Sequence, residues 1–202
     1  MAAEKKRAKD EMYRSDQLDP ELAMVLVVDM QEKLLPLIRN QKRIVAFARN
    51  LLDGAKLFGL PVVSTEQYPK GIGTTVGEIS EKLATCRATT IEKSTFSVWG
   101  ETSARRAVVD LDKPQVLVCG IETHVCVQQT VLDLVSRDYK VYVMADAVGS
   151  RGKTDCKTAL LRMAREGALV TTVESALFEL CYRCDCDRFK GLLEIVKRFP
   201  PG

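Results

Sequence analysis

Short, continuous apolar segments alternate along this chain with segments of helical periodicity, and this alternation constrains the fold more than any other feature. Met24–Val28 is an unbroken apolar run that ends at Asp29, and Val116–Cys119 is a second run of the same kind. Runs of this length without polar alternation are typical of strands that are buried on both faces of a parallel sheet. Strands that alternate with helices predict an α/β domain with right-handed crossovers.

The remaining elements are predicted from the same two patterns, short apolar runs and apolar residues spaced three or four apart. The other predicted strands are Pro61–Thr65, Thr89–Glu92, Val141–Met144 and Leu169–Val173. The predicted helices are Gln41–Phe58, Glu101–Leu111, a segment from Val125 to Val135, Thr154–Arg165, Glu174–Cys181 and Asp187–Phe199. Glu66–Gly77 contains three glycines and a proline, so it is predicted to be a loop at the same strand end as Asp29.

The composition is that of one globular domain rather than of a disordered or membrane chain. Of 202 residues, 46% are hydrophobic and 28% are charged, which is close to the average for soluble proteins. The longest apolar run, Ala23–Val28, is much too short to span a bilayer. We therefore expect residues 1–20 to form a flexible leader and residues 21–200 to form a single folded domain.

Charge and cysteine usage limit the classes of partner and compartment. The chain has 30 Lys and Arg residues against 27 Asp and Glu residues, and two of the three net positive charges lie within residues 1–14. A nearly neutral body gives no reason to expect nucleic-acid binding. The leader lacks the apolar segment of a secretory signal, and its acids disfavour a mitochondrial presequence. Seven cysteines without a regular framework fit a reducing compartment, so we predict a cytoplasmic protein with no membrane partner.

Cys181, Cys184 and Cys186 form the one cysteine cluster whose spacing is similar to that of metal ligands. A closed zinc site needs four ligands, but no second cysteine pair follows the cluster and His124 is the only histidine. A loop before the last helix is therefore favoured over a zinc site.

Three residues with complementary chemistry follow predicted strands. Asp29, Lys93 and Cys126 lie at or just beyond the carboxyl ends of the first, third and fourth strands, where the ligand crevice of an open parallel sheet is found. Cys126 also falls in the first turn of a helix, where the macrodipole favours a nucleophilic thiolate. A carboxylate can accept its proton, and an ammonium can stabilise the charged pair. Each residue has an ordinary alternative: Cys126 as a small buried hydrophobe, Asp29 as a helix cap and Lys93 as a surface cation.

Four segments carry a resemblance to a known family. V-V-D-M-Q (Val27–Gln31), T-E-Q-Y-P-K-G-I-G (Thr65–Gly73), I-E-K-S-T-F-S (Ile91–Ser97) and G-I-E-T-H-V-C-V (Gly120–Val127) resemble segments of the isochorismatase-like hydrolases, also called the cysteine hydrolase superfamily. The resemblance extends over residues 22–200 and is strongest to the isochorismatase domain-containing proteins.

This resemblance implies a three-layer α/β/α fold with a six-stranded parallel sheet of order 3-2-1-4-5-6. It also implies a catalytic triad that matches Asp29, Lys93 and Cys126. In the family the aspartate takes the thiol proton, the lysine stabilises the charges, and the cysteine attacks a carbonyl to form a thioester that water hydrolyses. A cis peptide of the family would map to Ile121 and Glu122, and the oxyanion hole to the backbone N–H groups of Glu122 and Cys126.

Two differences within the superfamily limit the substrate class. Nicotinamidases bind a metal through an aspartate and histidines after the second strand, whereas this loop, E-Q-Y-P-K-G, contains no histidine; we predict no metal and no cofactor. Isochorismatase itself lacks the nucleophilic cysteine, so Cys126 argues for an amide-like or ester-like substrate rather than a vinyl ether. His124 is an alternative base, but Asp29 is preferred because His124 is expected to point to the rim or to an interface.

Four further residues are candidates for the wall of the substrate pocket, because they lie close in sequence to the triad: Gln31, Tyr68, Phe96 and Trp99. Each could equally belong to the core. The leading hypothesis is a metal-independent cysteine hydrolase that acts on a small amide or ester and forms a homo-oligomer, as is usual in the family. The alternatives are a catalytically silent assembly or partner-binding protein, and a ribonuclease, a label of some relatives that the neutral body disfavours.

Overall fold

Six parallel strands form one sheet of order β3-β2-β1-β4-β5-β6 in a computed structural model that describes residues 17–199. The strands are β1 (Ala23–Val28), β2 (Val62–Gln67), β3 (Thr89–Lys93), β4 (Gln115–Ile121), β5 (Lys140–Gly149) and β6 (Leu169–Thr171). The predicted α/β class and strand order are therefore confirmed.

Eight α-helices lie between or after the strands of the described residues 17–199. They are α1 (Gln41–Phe58), α2 (Pro69–Ile72), α3 (Gly77–Thr85), α4 (Thr102–Val109), α5 (Gln128–Val135), α6 (Lys153–Arg165), α7 (Val173–Cys181) and α8 (Phe189–Val196). Short 3-10 helices occupy Leu35–Leu37 and Val98–Gly100, and a π-helical turn, Thr123–Val127, leads into α5.

Helices cover both faces of the sheet, which gives the predicted three layers. β1 and β4 lie at the centre and are buried along their whole length. Because successive side chains of a strand point to opposite faces, Val25 and Val27 pack in one core with α1, α3, α7 and α8. Leu26 and Val28 pack on the other face with α4, α5 and α6. Burial on both faces explains why these strands lack polar alternation.

Helix α1 follows its predicted range, Gln41–Phe58, because its apolar residues and its terminator agree. Ile44, Ala48, Leu51 and Ala55 recur at helical spacing and are buried against the sheet. Gly59 ends the helix in the left-handed region, with φ of 75°, a conformation that glycine adopts without steric strain.

The first described residues already contact the folded domain. Residues 1–16 of the expected leader lie outside the described residues. Leu18 is buried in a core, and its N–H donates to the Glu179 carboxylate at 3.2 Å. The boundary between leader and domain at residue 20 stays a prediction. No helix within the described range of 17–199 combines the length and apolar character needed to cross a membrane.

Candidate active site

A buried ion pair joins the carboxyl ends of β1 and β3. Lys93, the last residue of β3, donates from Nζ to Oδ2 of Asp29 at 2.7 Å. The Lys93 and Asp29 side chains are 0% and 1% exposed. Desolvation opposes such burial unless both charges are well hydrogen-bonded. The alternatives of a surface lysine and a helix-capping aspartate are therefore wrong.

Two residues of β2 that the sequence analysis missed complete the bonding of this pair. The Thr65 hydroxyl donates to Oδ1 of Asp29 at 2.8 Å, and Oε1 of Gln67 accepts from Lys93 Nζ at 2.6 Å. The backbone carbonyl oxygens of residues 95 and 96 lie 3.2 and 3.1 Å from the same ammonium. Because every polar atom of the pair has a partner, the geometry holds both charges in fixed positions. The position of Thr65 and Gln67 at a strand end was the signal that could have identified them.

Cys126 lies on the π-helical turn between β4 and α5, at the start of the helix as predicted. π turns are rare and are frequent at functional sites. Glu122 directly precedes the turn, and its φ of 55° is left-handed. Cys126 is buried, with 5% of its surface exposed.

Gly120 allows β4 to approach β1 closely just before this turn. A Cβ at position 120 would lie 2.3 Å from the Val28 carbonyl oxygen, and the φ of Gly120 is 144°. Only glycine fits both the space and the backbone conformation. Asp29 directly follows Val28, so this close approach brings the turn that carries Cys126 beside the ion pair.

The thiol of Cys126 lies close enough to the side chains of both Asp29 and Lys93 for each to act on its ionisation. Its pKa is raised from 9.0 to about 12, chiefly by burial; the negative charge of Asp29 adds to the increase and the positive charge of Lys93 opposes it. The thiol is therefore protonated at neutral pH, and its proton lies beside a carboxylate. The structure thus brings the three predicted residues into one site.

The peptide bond between Ile121 and Glu122 is trans, as are all peptide bonds within residues 17–199. The predicted cis peptide is therefore wrong. The chain turns instead through the positive φ angles of Gly120 and Glu122, at 144° and 55°. The oxyanion hole at the N–H groups of Glu122 and Cys126 stays a prediction.

His124 belongs to a polar cluster on the rim of the site. Its Nδ1 lies 3.1 Å from the Ser150 hydroxyl and 3.4 Å from Oε2 of Glu122. Nε of Arg151 donates to Oε1 of the same Glu122 at 2.9 Å. These partners occupy His124 Nδ1, whereas the charge of Asp29 acts on the Cys126 thiol, so the geometry favours Asp29 over His124 as the base.

Gln31 holds the loop after β2 rather than facing a substrate. Its Nε2 donates to the carbonyl oxygens of Gln67 at 3.0 Å and Gly73 at 2.6 Å, and its Oε1 accepts from the Gln67 N–H at 2.7 Å. The residue is 0% exposed. Gln31 is therefore a positioning residue in this structure, which corrects its prediction as part of the pocket wall.

The three aromatic candidates lie in two different places. Tyr68 and Phe96 are 59% and 52% exposed. The Tyr68 N–H donates to the Lys93 carbonyl oxygen at 2.9 Å, and the Phe96 carbonyl oxygen accepts from Lys93 Nζ at 3.1 Å. Both therefore lie on the rim of the site. The Trp99 ring instead packs against Arg137 and Tyr139, beyond the far end of α5. The prediction that Trp99 lines the pocket is wrong, because the 3-10 helix that carries it packs on α5.

Comparison with known proteins identifies the family. Residues 23–175, which include all three residues of the site, match the family model for the isochorismatase domain. The chain belongs to the isochorismatase family. Isochorismatase domain-containing protein 1 of Danio rerio is 40% identical over 185 residues, which are 91% of this chain. The chain spans 64% of the length of that relative.

Solved structures of similar proteins support the same assignment. The MAR1 ribonuclease of Caenorhabditis elegans superposes with a TM-score of 0.86 and 34% identity, over 92% of this chain and 95% of that one. The YcaC gene product of Escherichia coli, described as an octameric hydrolase of unknown specificity, has a TM-score of 0.86 and 28% identity, over 92% and 91% of the two chains. The fold is therefore that of the isochorismatase-family hydrolases.

Proposed function

We propose that this protein is a metal-independent cysteine hydrolase that cleaves a small amide-like C–N bond, or an ester, through a thioacyl intermediate on Cys126. The observation that carries the proposal is a buried carboxylate–ammonium pair with a buried thiol beside it, whose ionisation both charges affect. These three groups supply a nucleophile, a base and a fixed positive charge, which acyl transfer requires.

Activation of the thiol depends on proton transfer to Asp29 during the attack. With a pKa of about 12, only about one thiol in 100,000 is ionised at pH 7. A preformed thiolate is therefore too rare to carry the reaction by itself. Asp29 accepts the proton as the sulfur attacks, and Lys93 keeps the newly neutral carboxyl and the developing negative charge in place.

The acyl group then passes from the substrate to sulfur and from sulfur to water. The Cys126 sulfur bonds the carbonyl carbon, and the N–H groups of Glu122 and Cys126 donate to the oxygen that becomes negative. Asp29 returns its proton to the departing nitrogen or oxygen, which leaves a thioester. Water attacks the thioester and gives a proton to Asp29, which passes it to the departing sulfur. The acid is released and the thiol is restored.

Pre-steady-state hydrolysis of p-nitrophenyl acetate, followed by a panel of small amides, tests this proposal. We expect a burst of nitrophenol and an acetyl adduct on the Cys126 peptide after acid quenching. Cys126→Ala should abolish both, whereas Cys86→Ala should retain both, because Cys86 is a half-buried thiol that bonds the Leu52 carbonyl away from the site. Absence of the acetyl adduct from Cys126, or hydrolysis that is unchanged by Cys126→Ala, would refute the proposal.

A ribonuclease is the second candidate, since the Caenorhabditis elegans relative is described as a MAR1 ribonuclease. Cleavage of a labelled single-stranded RNA by wild type and by Cys126→Ala separates the two functions. Cleavage that is lost in Cys126→Ala would favour RNA as a substrate of this site, whereas cleavage by both proteins would point to a contaminant. A protein inactive toward all esters, amides and RNA would favour the assembly or partner-binding alternative.

We also propose that the protein forms a homo-oligomer with a small-molecule substrate in each subunit. The octameric assembly described for the Escherichia coli relative supports this part of the proposal. Light scattering after size-exclusion chromatography measures the assembly, and a monomeric mass at micromolar concentration would contradict it.

A further inference from the structure

A pair of sulfur atoms lies in contact after helix α7, outside the proposed catalytic site. The Sγ atoms of Cys181, the last residue of α7, and Cys186 are 3.2 Å apart. Cys181 is buried, Cys186 is partly exposed, and Cys184 between them is exposed. Cys181 belongs to the core on the α1 face of the sheet, whereas Cys126 belongs to the core on the opposite face.

The local backbone explains why these two sulfurs meet over so short a stretch. Tyr182 has a positive φ of 60° and ends the helix, so the chain turns back toward Cys181. Arg183 and Asp185 form an exposed ion pair that closes the turn. A disulfide bond is about 2.05 Å long, so the two sulfurs need to approach by only about 1.2 Å to bond.

The cluster does not have the arrangement of a metal site. Within the described residues 17–199, no group of three or more His, Cys, Asp or Glu side chains is arranged to hold a metal ion. The sulfur contact joins Cys181 and Cys186, and Cys184 is exposed at the surface.

We propose that Cys181 and Cys186 form a reversible disulfide when the protein meets a low-molecular-weight disulfide. Cys186 is more exposed than Cys181, so the small disulfide reaches Cys186 first of the pair. The Cys186 thiolate attacks that disulfide, forms a mixed disulfide and releases one small thiol. Cys181 then loses its proton and attacks the Cys186 sulfur, which releases the second small thiol. Two protein thiols are oxidised by two electrons, and the small disulfide is reduced to two thiols.

The bond would fasten the end of α7 to the segment that leads into α8. Helix α8 inserts Leu192 and Ile195 into the core that also contains α1, and Arg188 lies over the Phe58 ring at 5.9 Å. Oxidation would therefore fix how the C-terminal helix joins the rest of the domain. Slower hydrogen exchange of residues 182–188 in the oxidised protein would report this effect.

Peptide mapping of the folded protein in buffers of oxidised and reduced glutathione tests the proposal. Free thiols are first blocked with N-ethylmaleimide, and trypsin then cleaves after Arg165, Arg183 and Arg188. We expect peptide 166–183 to be linked to peptide 184–188 through Cys186, with Cys184 carrying the maleimide, and dithiothreitol to reverse the link.

Three cysteine variants separate the proposed pair from other thiol chemistry. Cys184→Ser should keep the link, whereas Cys186→Ser and Cys181→Ser should each abolish it. If the substitution of buried Cys181 prevents folding, Cys186→Ser alone tests the pair. Maleimide on both Cys181 and Cys186 in fully oxidising buffer would overturn the proposal, as would a link between Cys184 and Cys186 or glutathione on Cys184 alone. These outcomes do not depend on hydrolysis at Cys126.

Discussion

Replacing Lys93 by methionine tests whether the buried ion pair organises the site. Methionine retains much of the apolar volume of the side chain but removes the ammonium that donates to Asp29 at 2.7 Å. Asp29 would keep the Thr65 hydroxyl, at 2.8 Å, as a side-chain donor, while its charge stayed almost fully buried. Removal of one partner of a buried pair typically lowers the free energy of unfolding by about 3–5 kcal/mol. We expect Lys93→Met to fall in that range.

The double variant Asp29→Asn, Lys93→Met shows how much of this loss is the unpaired charge. Asparagine can still accept the Thr65 hydrogen bond, and no buried charge remains. The double variant should therefore be more stable than Lys93→Met alone, by about 2 kcal/mol or more. Lys82→Met is the matched control, because the 2.6 Å pair of Lys82 with Asp53 is partly exposed. Its loss should be about 1 kcal/mol or less.

Urea unfolding measures all four proteins with one probe. The chain has a single tryptophan, Trp99, which packs beside Tyr139 and Arg137 away from the site, so its fluorescence reports unfolding without being altered by the substitutions. Circular dichroism should give the same midpoint if unfolding is two-state. A loss in Lys93→Met no larger than in Lys82→Met, or a double variant no more stable than Lys93→Met, would refute this account of the pair.

The site and its supports give four more predictions. Because burial and Asp29 raise the pKa of Cys126 to about 12, its alkylation by iodoacetamide, measured by peptide mass spectrometry, should accelerate about tenfold per pH unit between pH 7 and 10; a plateau in that range would contradict it. Asp29→Asn should raise this rate at a given pH, because it removes an opposing charge, yet abolish hydrolysis. Gly120→Ala places a Cβ 2.3 Å from the Val28 oxygen and should lower stability by about 3 kcal/mol in thermal unfolding; an unchanged midpoint would show that the strands can separate. Gln31→Ala removes three hydrogen bonds from the loop after β2, so limited proteolysis should cut there at least about tenfold faster, and an unchanged rate would count against a positioning role.

The centre of the fold was predictable because its strands have no solvent-facing side. β1 was predicted as Met24–Val28 and spans Ala23–Val28, since burial on both faces leaves one unbroken apolar run. The end of β4 was not predictable in the same way. A glycine in an apolar run usually marks the end of a strand, but Gly120 continues β4 because β1 approaches it closely. That approach is a tertiary contact, which the local sequence does not reveal. Helix α3, Gly77–Thr85, was missed because its glycine-rich beginning is typical of a loop.

The three residues of the site were predictable from their chemistry and their position at strand ends, but the residues that hydrogen-bond them were not. Gln67 bonds Lys93 because the two residues are partners in the register of β2 and β3, and a single sequence does not fix a register. Trp99 shows the converse limit. It follows Lys93 closely in sequence, yet it packs beside Arg137, because the direction of a side chain on a 3-10 helix depends on what that helix packs against.

Burial of the site has two opposite effects on its chemistry. A dry environment strengthens the attraction between Lys93 and Asp29, whereas the same loss of water raises the pKa of the Cys126 thiol to about 12. General alkylating reagents should therefore react first with exposed Cys184, because reactivity toward them follows exposure and ionisation. A substrate differs from such reagents because it places a carbonyl against the sulfur while Asp29 takes the proton. For this site, acylation that depends on substrate identifies the nucleophile, and the rank order of thiol alkylation does not.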